Sequence, residues 1–131
     1  DQIKSLFSKH IKTFGYLDCI EDYYELLRQC DFVLSTSVHE FQGVSVMEAI
    51  AAGCVPLVPD RLSYKELIDQ AYRYQSDMAC PENEAAAAVE KLLEINAQGI
   101  SGLNLSEAFK CYSWSQLIGM YQEVLEQLLN K

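Results

Sequence analysis

His39-Glu40-Phe41-Gln42-Gly43-Val44-Ser45-Val46-Met47-Glu48-Ala49 holds two carboxylates eight positions apart, with one glycine between them. An apolar pattern of helical spacing starts directly after that glycine. Just before the stretch, Asp31-Phe32-Val33-Leu34-Ser35-Thr36-Ser37 reads as a buried strand ending in small hydroxyl residues. Strand, glycine-bearing loop and helix start form the kind of junction at which an α/β sheet holds anions. Unpaired backbone N–H groups point outward there, and the helix dipole favours negative charge. Glu48 falls about one turn into the helix and Glu40 lies in the loop before it. Two acids so placed suit the hydroxyls of a sugar or ribose, while the amides suit a phosphate.

Working outward, the pattern alternates. Ile3 to Ser8 reads as helix, Ile11 to Leu17 as strand and Glu21 to Cys30 as helix, with Asp22 capping or charging the helix start. Asp31 to Thr36 is strand, Val44 to Ala52 helix stopped by Gly53, and Cys54 to Val58 a buried parallel strand. A short helix at Tyr64 to Ile68 and a short strand at Tyr72 to Tyr74 follow. Glu82 to Ile95, with four alanines, is a strong helix former, and Gly99 and Gly102 mark a turn. Trp114, Leu117, Ile118, Tyr121, Leu125, Leu128 and Leu129 then form an amphipathic stripe. Strands alternating with helices of this length imply βαβ units, hence an α/β fold whose parallel sheet carries helices on both faces.

The 131 residues are one domain's worth, and 50% are apolar, enough for a core. No charged leader or run long enough to span a bilayer is present. Five cysteines without a Cys-x-x-Cys pair read as reduced, buried thiols of a cytoplasmic protein rather than a disulfide framework or metal site. Two histidines set far apart make no zinc pattern. Nineteen acids against ten bases give a net charge of −9, which argues against this chain alone embracing a nucleic acid. Paired carboxylates also occur in glycosidases. A helix-tip anion cradle has no task, however, when the leaving group is a neutral alcohol.

Glu40-x7-Glu48 with its internal glycine, followed by Ala49-Ile50-Ala51-Ala52-Gly53-Cys54-Val55-Pro56-Leu57-Val58, resembles the donor-binding half of retaining GT-B glycosyltransferases of group 1 (family 4) type. Gly15 after Thr13-Phe14, Cys30-Asp31-Phe32-Val33-Leu34-Ser35, Tyr64-Lys65-Glu66-Leu67-Ile68 and Tyr112-Ser113-Trp114 extend the likeness. The wording His39-Glu40-Phe41, with Pro59-Asp60-Arg61-Leu62-Ser63-Tyr64-Lys65-Glu66, is most similar to the branch that mannosylates queuosine in transfer RNA. The resemblance implies a Rossmann-like sheet, the C-terminal half of a GT-B fold truncated at its N-terminal edge. An N-terminal acceptor domain and the opening strands would lie before Asp1, together with the basic residues that neutralise the leaving diphosphate. GDP-mannose as donor, with queuosine-bearing tRNA held through that other domain, is the sharpest form. Transfer to lipid or polysaccharide acceptors from another donor, and a non-catalytic nucleotide-sugar-binding module, stand as alternatives.

Residue by residue, the resemblance gives Glu40 as the catalytic group, facing the transferred sugar, and Glu48 as the holder of the nucleotide ribose. His39, Phe41, Gln42, Gly43, Val44, Ser45, Gly15 and Tyr16 would complete the donor site, with no metal and no cofactor beyond the nucleotide sugar. Plainer readings stand beside these. Glu40 as a solvated loop acid and Glu48 as a charge stabilising a helix start are both ordinary roles. Ser45 either meets a phosphate or caps its helix. His39 either contacts the diphosphate or sits on the surface, and Gly15 and Tyr16 either meet the base or only end a strand. At Phe41 and Gln42 the resembling family places glycine and then an aromatic. Phe41 is accordingly expected in the core, with Gln42 near the ligand. Arg61 and Lys65 read as surface charges. The final apolar stripe is wide for one side of a small sheet, so self-association through it is expected.

Overall fold

Val55–Pro59 is buried along its whole length and forms the central strand, β2, of a three-stranded parallel sheet. The computed structural model describes residues 2–99 and 105–130. In chain order the elements are α1 (Gln2–Phe7), α2 (Ile20–Arg28), β1 (Phe32–Leu34), α3 (Val44–Ala51), β2, α4 (Tyr64–Leu67), β3 (Arg73–Tyr74), α5 (Pro81–Gln98), α6 (Leu105–Phe109) and α7 (Trp114–Leu129). Short 3-10 turns at Gln70–Tyr72 and Lys110–Tyr112 lead into β3 and α7. The strand order is β1-β2-β3, with Val33 opposite Pro56 and Val58 opposite Arg73. Side chains alternate across β2 as the pleat requires. Val58 packs with Val46, Ile50, Tyr64 and Ile68 on one face, while Val55 and Leu57 pack with Tyr74 and Ile95 on the other. Helices therefore cover both faces of the sheet, as the alternation of strand and helix patterns implied.

Proline is rare in a central strand because it cannot donate to the ladder. Val55 N–H bonds Asp31 O, so two steps of two residues later position 59 should serve Ser35 O. Pro59 has no N–H to give. The Tyr74 hydroxyl, arriving from β3, donates to Ser35 O at 2.6 Å instead. The end of β1 is thus fixed by a side chain, and the site loop begins at that point.

Ile11 to Leu17 is not a strand. Sheet hydrogen bonds need a neighbour, and the sheet stops at β1. Most of the segment is exposed, with Phe14 lying under the Lys4 ammonium 4.5 Å from its ring centroid. The thiols also differ from expectation. Cys54 is buried, but Cys19, Cys30 and Cys111 are exposed and Cys80 is half-buried, because they occupy helix ends and turns rather than inward faces. Gly99 closes α5, whereas Gly102 lies outside the described residues. Trp114–Leu129 is the expected helix, and none of its residues is buried. Among the described residues no helix is long and apolar enough to cross a membrane.

Candidate functional site

The loop from Ser35 to Gly43 carries the first acid across the C-terminal end of the sheet. Gly43 is buried with φ 65°, the left-handed region that other residues enter only at a cost. A Cβ there would stand 3.3 Å from both the Tyr64 ring and Leu67 Cδ1, so conformation and space both call for glycine. This turn folds Glu40 back onto the start of α3. Its Oε1 accepts the N–H groups of Gly43 at 2.8 Å and Gln42 at 3.2 Å, and the Tyr64 hydroxyl lies 3.4 Å from Oε2. The Gly43 amide, reinforced by that of Gln42, holds the Glu40 carboxyl below the usual carboxylate range. Glu40 is therefore no free loop acid. It occupies two of the tip amides itself, leaving those of Val44, Ser45 and Val46 ahead of the first helical bond, Met47 N–H to Gly43 O.

Glu48 is held differently. From α2, the Tyr23 hydroxyl donates to its Oε2 at 3.1 Å and the Tyr24 hydroxyl to its Oε1 at 3.3 Å. Burial, and then the bond to Glu48, raises the Tyr23 pKa. Glu48 and Val44 line one side of a cleft of about 420 Å³, with Phe109 and Tyr112 opposite. Gly15, Tyr16 and Tyr23 line a second cleft of about 370 Å³. Tyr23 thus lines the Gly15 cleft and reaches Glu48 with its hydroxyl. Gly15 ends no strand, since residues 11–14 form none, and Tyr16 is 92% exposed.

The other expected site residues take varied places. His39, Gln42 and Ser45 are exposed beside the two acids in the chain. Phe41 is 89% exposed and does not enter the core, because Tyr64 already fills the space under the loop. Arg61 is the largest correction. It is 7% exposed and spends its guanidinium inside the protein rather than on the surface. Nε donates to Ser37 O at 2.9 Å and Nη2 to Thr36 O at 3.2 Å, while Nη1 and Nη2 grip Glu84 of α5 at 2.6 and 3.0 Å. Arg61 in turn holds the Glu84 carboxyl below its ordinary range. Lys65 is exposed, as expected.

Between Arg61 and Tyr64 the chain turns through Leu62, a non-glycine residue at φ 50°. That conformation costs about 1–2 kcal/mol. The buried side chains on either side, Arg61 and Tyr64, hold it in place. Tyr64 is fully buried and bonds Ser35 Oγ at 2.8 Å, and Ser63 Oγ reaches Glu40 O at 3.4 Å. Residues 61–64 therefore clamp the loop of Glu40 at Thr36, Ser37 and Glu40 itself. Sequence reasoning missed Tyr23, Tyr24, Tyr64 and Arg61. Only Tyr64, placed three residues after an arginine that follows a buried strand, carried a local signal.

A family model for glycosyl transferases group 1 matches residues 2–112, which include both acids, the tyrosine pair Tyr23 and Tyr24, and the clamp. The chain belongs to that family. This group 1 glycosyl transferase domain is also similar to a tRNA-queuosine alpha-mannosyltransferase of Drosophila melanogaster, 34% identical over 79 residues. The matched part is 60% of this chain and 21% of that relative, so the chain corresponds to about a fifth of the relative's length.

Proposed function

We propose that this chain is the donor-binding, C-terminal half of a two-domain retaining glycosyltransferase. The observation that carries the reading is the pair Glu40 and Glu48 at the start of α3, each immobilised and each with acceptor positions left over. In this reading Glu48 accepts from the ribose of a nucleoside diphosphate sugar. The diphosphate lies towards the remaining α3 amides, favoured by the helix dipole. Glu40 meets the hydroxyls of the sugar through Oε2, since Oε1 is taken by backbone donors, and its negative charge opposes the positive charge that grows at the anomeric carbon.

The bond from the anomeric carbon to the diphosphate breaks, and an acceptor oxygen bonds that carbon from the same face. The acceptor proton passes to the leaving phosphate oxygen. No protein nucleophile and no metal takes part. The similarity to a tRNA-queuosine mannosyltransferase supports GDP-mannose and queuosine-bearing tRNA as the sharpest choice. With a net charge of −9, the tRNA would be held by the acceptor domain rather than here. Free thiols accord with a cytoplasmic setting. The exposed apolar face of α7 would meet that acceptor domain or, in its absence, a second copy, which sedimentation at several concentrations would show.

Titration calorimetry of the chain with GDP and UDP in chelator tests the reading. Weak, metal-independent binding that Glu48→Ala removes is the expected result. Binding that requires magnesium would overturn it.

A further inference from the structure

An ionised carboxylate offers about four acceptor positions, two on each oxygen. On Glu48 these are divided evenly: Tyr23 takes one on Oε2 and Tyr24 takes one on Oε1. Among the described residues no other donor reaches it, which leaves one position on each oxygen. Two hydroxyls on neighbouring carbons, one for each oxygen, are the natural guests for such a pair. Helix α2 supplies both tyrosines from consecutive positions, their rings tilted at 52° with centroids 5.3 Å apart, so the carboxylate is held from both ends. Tyr23 does more, because it also lines the cleft that Gly15 borders. No atom lies within 4 Å of a Cβ built at Gly15, so that approach is open.

We propose that Tyr23 and Tyr24 are positioning residues that fix the plane of Glu48, so that the site selects a nucleotide with an intact vicinal diol. Tyr23 ties that selection to the neighbouring cleft. The proposal rests on the reading of Glu48 given above and goes beyond it by assigning diol selectivity to the two hydroxyls on α2. Phenylalanine at either position keeps the ring and removes only the donor. With the donor gone, the carboxylate turns, and each diol hydrogen bond loses alignment.

Calorimetry of the full chain with GDP and 2′-deoxy-GDP, in chelator, tests this. The wild type should prefer GDP by about tenfold, the worth of one hydrogen bond to a charged group. Tyr23→Phe should weaken GDP by about fivefold and 2′-deoxy-GDP by only about twofold, since the deoxynucleotide keeps one of the two hydroxyls that the carboxylate aligns. Tyr24→Phe acts on the other oxygen and should do the same, so a folding failure of one variant leaves the other as a test. Equal weakening of both nucleotides would make the tyrosines mere packing between α2 and α3 and overturn the proposal. If the wild type binds the two nucleotides equally, or binds neither at millimolar concentration, the reading of Glu48 falls as well. If Glu48→Ala abolishes the preference while both Tyr→Phe variants keep it, only the tyrosine assignment fails.

Discussion

Glu40 and Glu48 belong to one short stretch of chain, yet the protein holds them by opposite means. Glu40 is bound to backbone N–H groups of its own loop, and the loop is clamped by the buried Arg61 and Tyr64. Glu48 projects from a regular helix and, among the described residues, is bound by the side-chain hydroxyls of Tyr23 and Tyr24 alone. The backbone bonds make the first acid part of the fold, so its position cannot change without its loop. The second acid is an attachment to a helix that would stand without it. A group meant to meet a reacting centre gains from the first arrangement, because fixed dipoles need no reorganisation as charge develops. A group that only grips a ligand needs less.

The widest test of that contrast is Arg61→Ala. Removing one partner of a buried ion pair leaves Glu84 uncompensated and should cost about 3–5 kcal/mol in denaturant unfolding. A loss under about 1 kcal/mol would class the pair with exposed ones and dissolve the clamp. Gly43→Ala comes next, at about 1–3 kcal/mol, from the positive φ together with the 3.3 Å contacts to Tyr64 and Leu67. Gly43→Asn, which tolerates that backbone better, should not recover all of the loss, since the crowding remains.

Glu40→Ala should then cost about 1–2 kcal/mol of stability by freeing the Gln42 and Gly43 amides, whereas Glu48→Ala should stay within about 1 kcal/mol. Their ligand effects should run the other way. GDP affinity should fall for Glu48→Ala and hold for Glu40→Ala, because GDP lacks the sugar that Glu40 meets. Equal stability losses, or equal losses of GDP affinity, would erase the distinction between the two acids. In a two-domain enzyme the same division appears as a KM effect for Glu48 and a kcat effect for Glu40.

Acid titration gives the smallest effect. Glu40 and Glu84 have carboxyl pKa values held below the ordinary 4.5 in the folded state. Their contribution to stability is complete above that value and is lost as pH falls through the lowered folded values, because the unfolded chain then binds more protons. Stability between pH 5 and pH 3 should drop less in Glu40→Gln than in the wild type, measured by unfolding at each pH. An unchanged slope would mean that the amide contacts do not favour the charged form.

Much of this fold is legible along the chain. The apolar runs at Phe32–Leu34 and Val55–Pro59, the glycine before Val44 and the alanine-rich helix from Pro81 all follow from the spacing of neighbouring residues. Ile11 to Leu17 also reads as a strand and formed none, because a strand depends on a neighbour that the pattern cannot supply. The positions of the two acids were legible for the same local reason: a glycine-bearing loop before an amphipathic helix sets both.

What only the tertiary structure decided is the set of partners each acid meets. Tyr23 and Glu48 are 25 residues apart in the chain, and Tyr64 and Glu40 are 24 apart. Arg61 reads as a surface charge until α5 brings Glu84 against it. Phe41 reads as core until Tyr64 occupies the place beneath the loop. Local spacing fixes which face of a helix or strand a residue takes. Hydrogen bonds and burial depend on which elements are packed together, and that is settled only when the sheet assembles with α3 on one face and α5 on the other.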